Sequence, residues 1–362
     1  MTLPMRITPS RQVFVLGAGF THAFCPSAPL MVDDYGVDTL LEKFNNFPLI
    51  RSILESEKRG RQDNKINIER LLTRLHTGMP HDIENKTELS LLYTDLEKVY
   101  LSRIKEALTQ KVFLGELTKF AKFCIDNRVT CISFNHDDLF DKALFDVNRV
   151  IQIPLQPVPY WHPDGGYGFF CRPAVSCILD TIISMDKTSM MLLKLHGSTN
   201  WFPRFGHTKP FTLDSIVHYE SWLPYSNQNG IPIDEEILEK IPSHIATNPF
   251  LIPPVLVKGE LTEQPIIRLI WSSAYTALKQ ADKVTFIGYS LPITDIAATY
   301  LFSETISGLP GSSIHIVNRD EKVKDVYRKT LPQLIDENFI TIDALEWVKG
   351  VTNDDSILTQ SA

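Results

Sequence analysis

Five short runs of this chain are apolar almost throughout rather than on alternate residues, and each stops abruptly at a small, polar or ionisable residue. VFVL (13–16) gives way to Gly17-Ala18-Gly19, VTCISF (129–134) to Asn135, MMLLKL (190–195) to His196, VTFI (284–287) to Gly288 and IHIV (314–317) to Asn318. A strand with one wet face alternates apolar and polar residues; a strand covered on both faces does not. Runs of this kind belong in the middle of a parallel sheet, and they restrict the fold more than any other feature of the chain.

Between the runs the apolar period lengthens to that of helices. Asn85 with Glu88 reads as a capping box. Leu89, Leu92, Leu96, Val99 and Tyr100 then recur at helical spacing, which predicts a long amphipathic helix near 86–109. Shorter helices are expected near 113–126, 137–145 and 234–241. Later ones are expected over Thr262–Lys279, Thr294–Thr305 and Glu321–Thr330, with a last strand at Phe339–Ile342. Phe250–Ile252 reads as a short strand. The Pro-, Gly- and aromatic-rich stretch 154–174 reads as loops with a hairpin whose tip places Trp161 over the core.

Strand and helix in alternation make a parallel sheet with helices on both faces, joined by right-handed crossovers. The expected fold class is therefore α/β, a doubly wound, Rossmann-like sheet with a helical insertion after the first strand. Residues 11–35 and 129–345 form the sheet domain in this reading, 36–128 the insertion and 346–362 a tail that frays from Asn353.

Composition narrows the classes of function. Of 362 residues, 43% are hydrophobic and 22% charged, as in ordinary globular chains. The N-terminus has no apolar signal core and no run is long enough to span a bilayer, so a cytoplasmic protein without membrane attachment is expected. The formal net charge is −7 with no basic block, which argues against direct nucleic-acid binding. Cys25, Cys124, Cys131, Cys171 and Cys177 form no C-x-x-C pair and read as buried small residues, so neither a disulfide framework nor a bound metal is expected.

Doubly wound sheets bind ligands at the carboxyl ends of their strands. GAGFT (17–21), NHDD (135–138), HGSTNW (196–201), GYSLP (288–292) and NRD (318–320) all fall there. Gly-x-Gly before a helix lets backbone amides approach a phosphate, but it also makes a plain tight turn; His22 stands where the dinucleotide fingerprint has its third glycine. Asn135 and Asp137 suit a helix N-cap as well as a site. His196 suits a satisfied structural histidine as well as a base.

In order and wording, GAGFT, SFNHDD, KLHG, IGYSL and IVN resemble the sirtuin-like NAD-binding family, whose members carry a GAG-x-S turn, a Q-N-x-D element, an H-G pair, a G-x-S strand end and a late Asn. PSAPLM (26–31) and LIPPVLVK (251–258) resemble its bacterial branch in antiviral defence systems. The resemblance implies NAD as substrate, with its pyrophosphate on the amides of Ala18, Gly19, Phe20 and Thr21, next to Gly17. Thr21 would add its hydroxyl, Gly288 would permit close approach, and Ser290 would bond phosphate or ribose. Asn318 would meet the adenosine ribose and Asp137 the nicotinamide carboxamide. Asn135 would orient water or ribose hydroxyls and His196 would act as base. The chain departs from the deacylases in two places: residues 203–250 contain no cysteine for a zinc ribbon, and Ser-Phe precedes Asn135 where deacylases have Thr-Gln.

The function this resemblance implies is an NAD glycohydrolase releasing nicotinamide and ADP-ribose, a homo-oligomer controlled by assembly or activated by a partner protein such as a HerA-type ATPase or another sensor. An NAD-dependent deacylase or ADP-ribosyltransferase is the first alternative. A non-catalytic NAD or ADP-ribose sensor is the second, and an unrelated doubly wound protein the third.

Overall fold

The computed structural model describes residues 11–58, 65–77, 86–149, 161–174, 188–204, 206, 215–219, 245–246, 248–252, 263–292 and 295–353. The expected helix near 234–241, Asn85 of the capping box, Cys177, most of LIPPVLVK and the chain beyond Asn353 lie outside these residues. The described residues group into two compact units.

The first unit is built on a six-stranded sheet of β1 (Gln12–Leu16), β2 (Thr130–Ser133), β3 (Leu192–Lys194), β4 (Lys283–Ile287), β5 (Ile314–Val317) and β6 (Phe339–Ile340). They pair in the order β6-β5-β4-β1-β2-β3, every pair parallel. Read from the far edge this is 3-2-1-4-5-6, the order of two βαβαβ halves that diverge from a switch point beside the first strand. The doubly wound expectation is met.

The helices of this unit are α1 (Ala18–Phe24), α2 (Leu114–Asp126), α3 (Leu139–Arg149), α4 (Pro265–Lys279), α5 (Ile296–Ile306), α6 (Val323–Thr330) and α7 (Ala344–Asn353). The helix α2 packs in this unit although residues 36–128 are expected as one insertion. Residues 344–353 are helical where a tail is expected from 346. The reason is packing: Trp347 meets Phe14 of β1 and Phe120 of α2 edge-on, at 5.8 and 6.3 Å between ring centres. Phe14 and Phe120 themselves stack at 5.6 Å.

The stretch after residue 160 forms a single helical turn, Pro163–Gly166, rather than a hairpin tip. Trp161 is fully buried and its indole N–H donates to the Gly166 carbonyl, with Asp164 accepting from His218 at 2.7 Å beneath it. Leu251 makes only an isolated antiparallel bridge to Gly197, so the strand expected at Phe250–Ile252 reduces to one pairing.

The second unit holds the described residues between Cys25 and Val112. Four helices, Val37–Lys43, Pro48–Lys58, Ile68–Thr77 and Lys86–Leu108, surround a core that includes Leu40, Ile50, Leu54, Leu71, Leu72 and Leu92. Leu89, Leu92 and Leu96 of the long helix are buried there, with Val99 and Tyr100 packed against them. The apolar stripe read from the sequence is thus filled within its own unit. Among the described residues no helix is long and apolar enough to cross a membrane.

Candidate functional site

The two glycines after β1 are required by the exit of β4. The Gly17 amide donates to the Ile287 carbonyl at 3.1 Å and the Gly19 amide to the Gly288 carbonyl at 2.8 Å. A Cβ on Gly17 would lie 2.5 Å from Tyr289 Cα, and one on Gly19 2.8 Å from the Gly288 oxygen. Gly288 has φ +62°, and a Cβ there would lie 2.1 Å from the Phe20 nitrogen. The close approach is made by the chain's own backbone, at the switch point of the sheet.

This revises the role expected for the GAGFT amides. Gly19 N–H is held by Gly288 and Phe20 N–H by the Gly17 carbonyl at 2.8 Å. Ala18 is exposed. The Thr21 hydroxyl, expected to face phosphate, donates to Asp137 Oδ2 at 2.8 Å. A buried carboxylate is the stronger local acceptor and accepts that hydrogen bond.

The β2 exit supplies the other half of the cluster. The Asn135 side-chain amide donates to the Gly17 carbonyl and to Thr21 Oγ1, both at 2.9 Å. Asp137 Oδ1 accepts from the Leu139 amide at 3.1 Å, so this aspartate also starts α3 as an N-cap does. Burial pushes the Asp137 carboxyl above the ordinary aspartate range, while the charge of Lys194 and the Thr21 hydroxyl pull it back.

Lys194, the single charge in the third apolar run, ends β3. Its ammonium donates to the Asp137 carbonyl at 2.6 Å and pairs with Asp141 at 3.1 Å, both side chains being 1% exposed. Asp141 also accepts from the Tyr167 hydroxyl at 2.6 Å, and that oxygen accepts from the Asn200 amide at 2.9 Å. A buried ion pair without such added bonds does not recover its desolvation cost.

His196 follows on the β3 exit, buried at 6% exposure. Its ring stands edge-on to Phe134 at 5.3 Å, with Trp271 at 6.3 Å and His136 at 6.1 Å. The Trp271 indole donates to the Leu195 carbonyl at 2.9 Å and pins the residue before it. Gly197, at φ +77°, brings the next peptide within contact of Phe250. His196 Nε2 lies 3.8 Å from Asp295 Oδ2, which accepts from the Tyr289 hydroxyl at 3.3 Å.

The remaining expected residues divide. Asn318 turns inward: its amide donates to the Tyr289 carbonyl at 3.3 Å, and its Oδ1 accepts from the Asp320 amide at 3.0 Å. Ser290 is exposed beside Leu291, which takes φ +47°. The structure therefore joins Gly17, Gly19, Thr21, Asn135, Asp137 and Gly288 in one bonded cluster. Lys194, Asp141, Tyr289 and Asp295 belong with these groups, although no sequence motif marks them as site residues. A lysine inside an apolar run was a signal, since such a charge needs a partner; Asp295 carried none beyond its place after a strand-end motif. Among the described residues no group of His, Cys, Asp and Glu side chains is placed to hold a metal ion.

No protein-family model matches the chain, and no curated protein matches it. Among solved structures it is similar to a Sir2 homologue in complex with NAD, at 14% identity over 94% of this chain and 88% of the other, TM-score 0.47. It is similar also to a mutant Sir2 homologue in complex with ADP-ribose, at 15% identity over 94% of this chain and 90% of the other, TM-score 0.45. The doubly wound fold is established by strand order and register alone.

Proposed function

We propose that the chain is an NAD glycohydrolase. The observation that carries this reading is the bonded cluster of Gly17, Thr21, Asn135 and Asp137 at the switch point of a 3-2-1-4-5-6 sheet, where dinucleotides lie across such folds. The order of the strand-end motifs, with their resemblance to sirtuin-like proteins, makes NAD the dinucleotide.

The chemistry follows from the side chains. Water bonds to the anomeric carbon of the nicotinamide ribose, through a transition state with oxocarbenium character. The bond to nicotinamide breaks with its electron pair going to the ring nitrogen, so nicotinamide leaves neutral. The proton lost by water goes to His196, whose imidazole nitrogen can accept it. Asn135 has both amide hydrogens committed to Gly17 and Thr21, which leaves its oxygen to orient a hydroxyl. Asp137, by the resemblance, accepts from the nicotinamide carboxamide; burial pushes its carboxyl above the ordinary aspartate range. Ser290, being exposed, serves phosphate or ribose.

Such an activity needs restraint. The reading includes a cytoplasmic effector of antiviral defence, controlled by homo-oligomeric assembly or activated by a sensor protein, with the helical unit between Cys25 and Val112 as the regulatory surface. Light scattering that finds a strict monomer, active alone, would count against this part.

The test is direct. Purified protein is incubated with NAD, and nicotinamide and ADP-ribose are followed by chromatography. Asn135→Ala and His196→Ala abolish release; undiminished turnover in both removes the site assignment. Binding of NAD without turnover under every partner condition makes the chain a sensor instead. Acceleration by an acyl-lysine peptide makes it a deacylase.

A further inference from the structure

We infer that Asp295 is the positioning partner of His196, a buried carboxylate that stabilises the imidazolium formed when His196 takes up a proton. The inference deepens the proposed hydrolysis and rests on it for the identity of the reaction.

The first observation is a cap not made. Asp295 occupies the N-cap position of α5 with φ −90° and ψ 69°, yet its side chain makes no capping hydrogen bond. An N-cap aspartate ordinarily accepts from the amides of the first turn, and this is what selects it there. Here the carboxylate is turned inward instead, 3% exposed, to 3.3 Å from the Tyr289 hydroxyl and 3.8 Å from His196 Nε2. The backbone is fixed independently, because the Asp295 amide donates to Pro292 and its carbonyl accepts from Thr299.

The second observation is that both neighbours are held. Tyr289 stacks on Phe134 at 4.3 Å with an interplanar angle of 18°, and its carbonyl accepts from the Tyr327 hydroxyl at 2.9 Å. His196 is set by Phe134, Trp271 and the pinned Leu195 carbonyl. At 3.8 Å the carboxylate and the ring are beyond hydrogen-bond distance. Their attraction develops only as the ring gains charge, inside a poorly screened site. An interaction that grows along the reaction is of the kind that raises kcat rather than tightening substrate binding.

The titratable groups placed against His196 include His136 from the β2 exit and Asp295 ahead of α5, with Tyr289 of the β4 exit bonded in turn to Asp295. His136 is of opposite effect to Asp295 when protonated, so its titration must be read separately.

The full chain with ring-labelled histidines is titrated by NMR, with the His196 signal identified by its loss in His196→Gln. In Asp295→Asn, which keeps an acceptor for Tyr289, the His196 titration falls by about one unit, since an opposite charge at this distance shifts a group by that order. The acid limb of kcat/KM for NAD cleavage moves down by the same amount, and kcat drops more than KM changes. Asp295→Glu restores part of both. Tyr289→Phe, which strips the carboxylate of its hydroxyl donor, moves the titration up and keeps the inference testable should Asp295→Asn fail to fold. An unmoved His196 titration in a folded Asp295 or Tyr289 variant overturns it. A shift of the titration in a chain that does not cleave NAD sustains the pair and removes the hydrolase reading.

Discussion

The side-chain amide of Asn135 donates to the main-chain carbonyl of Gly17 across 2.9 Å, joining the exit of β2 to the exit of β1. The same amide donates to Thr21 Oγ1, which donates its own hydrogen bond to Asp137. Asn135 is therefore a structural link as well as a candidate catalytic group. Asn135→Asp sets an acceptor against a carbonyl and beside a second carboxylate. It is expected to lose about 2–3 kcal/mol of stability, as for a buried polar group left unsatisfied, together with nicotinamide release. Urea unfolding that matches the parent protein would show that the link carries no energy.

The glycines offer a sharper contrast. Gly288→Ala must place a methyl 2.1 Å from the Phe20 nitrogen at φ +62°, and Gly17→Ala one 2.5 Å from Tyr289 Cα. Backbone obstructs both, so neither can relax cheaply; losses above about 3 kcal/mol are expected. Gly350, inside α7, has nothing within 4 Å of its missing Cβ. Gly350→Ala should stabilise by about 0.5–1 kcal/mol through helix propensity. Thermal unfolding of the three variants decides it, and an order other than Gly350→Ala above the parent above the other two would break the argument.

These glycines also mark how far the sequence could be read. Burial on both faces leaves an uninterrupted apolar run, so all five expected runs coincide with strands of the sheet. A Gly-x-Gly turn announces a close approach without saying what approaches. Here it is the Gly288 backbone, hundreds of residues away in the chain, and an expectation of phosphate on those amides followed from the local pattern alone. The α7 helix is not legible in the sequence although Ala344, Trp347 and Val348 have helical spacing, because Gly350 and Thr352 lower its propensity and only contact with Phe14 and Phe120 recovers it. Asp295 was hidden for another reason. Its place before a helix predicts a cap, and only the direction of the side chain shows otherwise.

Lys194 and Asp141 are buried together, and their removal should be strongly coupled. Lys194→Met strands the Asp141 carboxylate with the Tyr167 hydroxyl in a site 1% exposed. A loss of about 3–5 kcal/mol is expected, as for other broken buried pairs. It also releases the Asp137 carbonyl and drives the Asp137 carboxyl higher, because the Lys194 charge is the largest influence opposing burial there. Lys194→Met with Asp141→Leu removes both charges and should recover more than half of the stability. A double variant no better than the single one would mean that the pair is not what holds this corner.

His315 should make the fold sensitive to mild acid. It lies on β5 with Nδ1 buried and, among the described residues, without a hydrogen-bond partner, and burial, helped by the Lys283 charge, lowers its pKa to about 4. An unfolded histidine titrates near 6.5, so between that value and about 4 the unfolded chain binds the extra proton and the folded chain does not. Stability is then full above the unfolded value and falls as pH drops through this window. The ring is partly exposed, so the loss is about 1–2 kcal/mol rather than the whole shift. His315→Gln, which cannot be protonated, should flatten the slope of unfolding free energy against pH between 6.5 and 4 relative to the parent. Parallel slopes for the two proteins would assign the acid sensitivity to other groups.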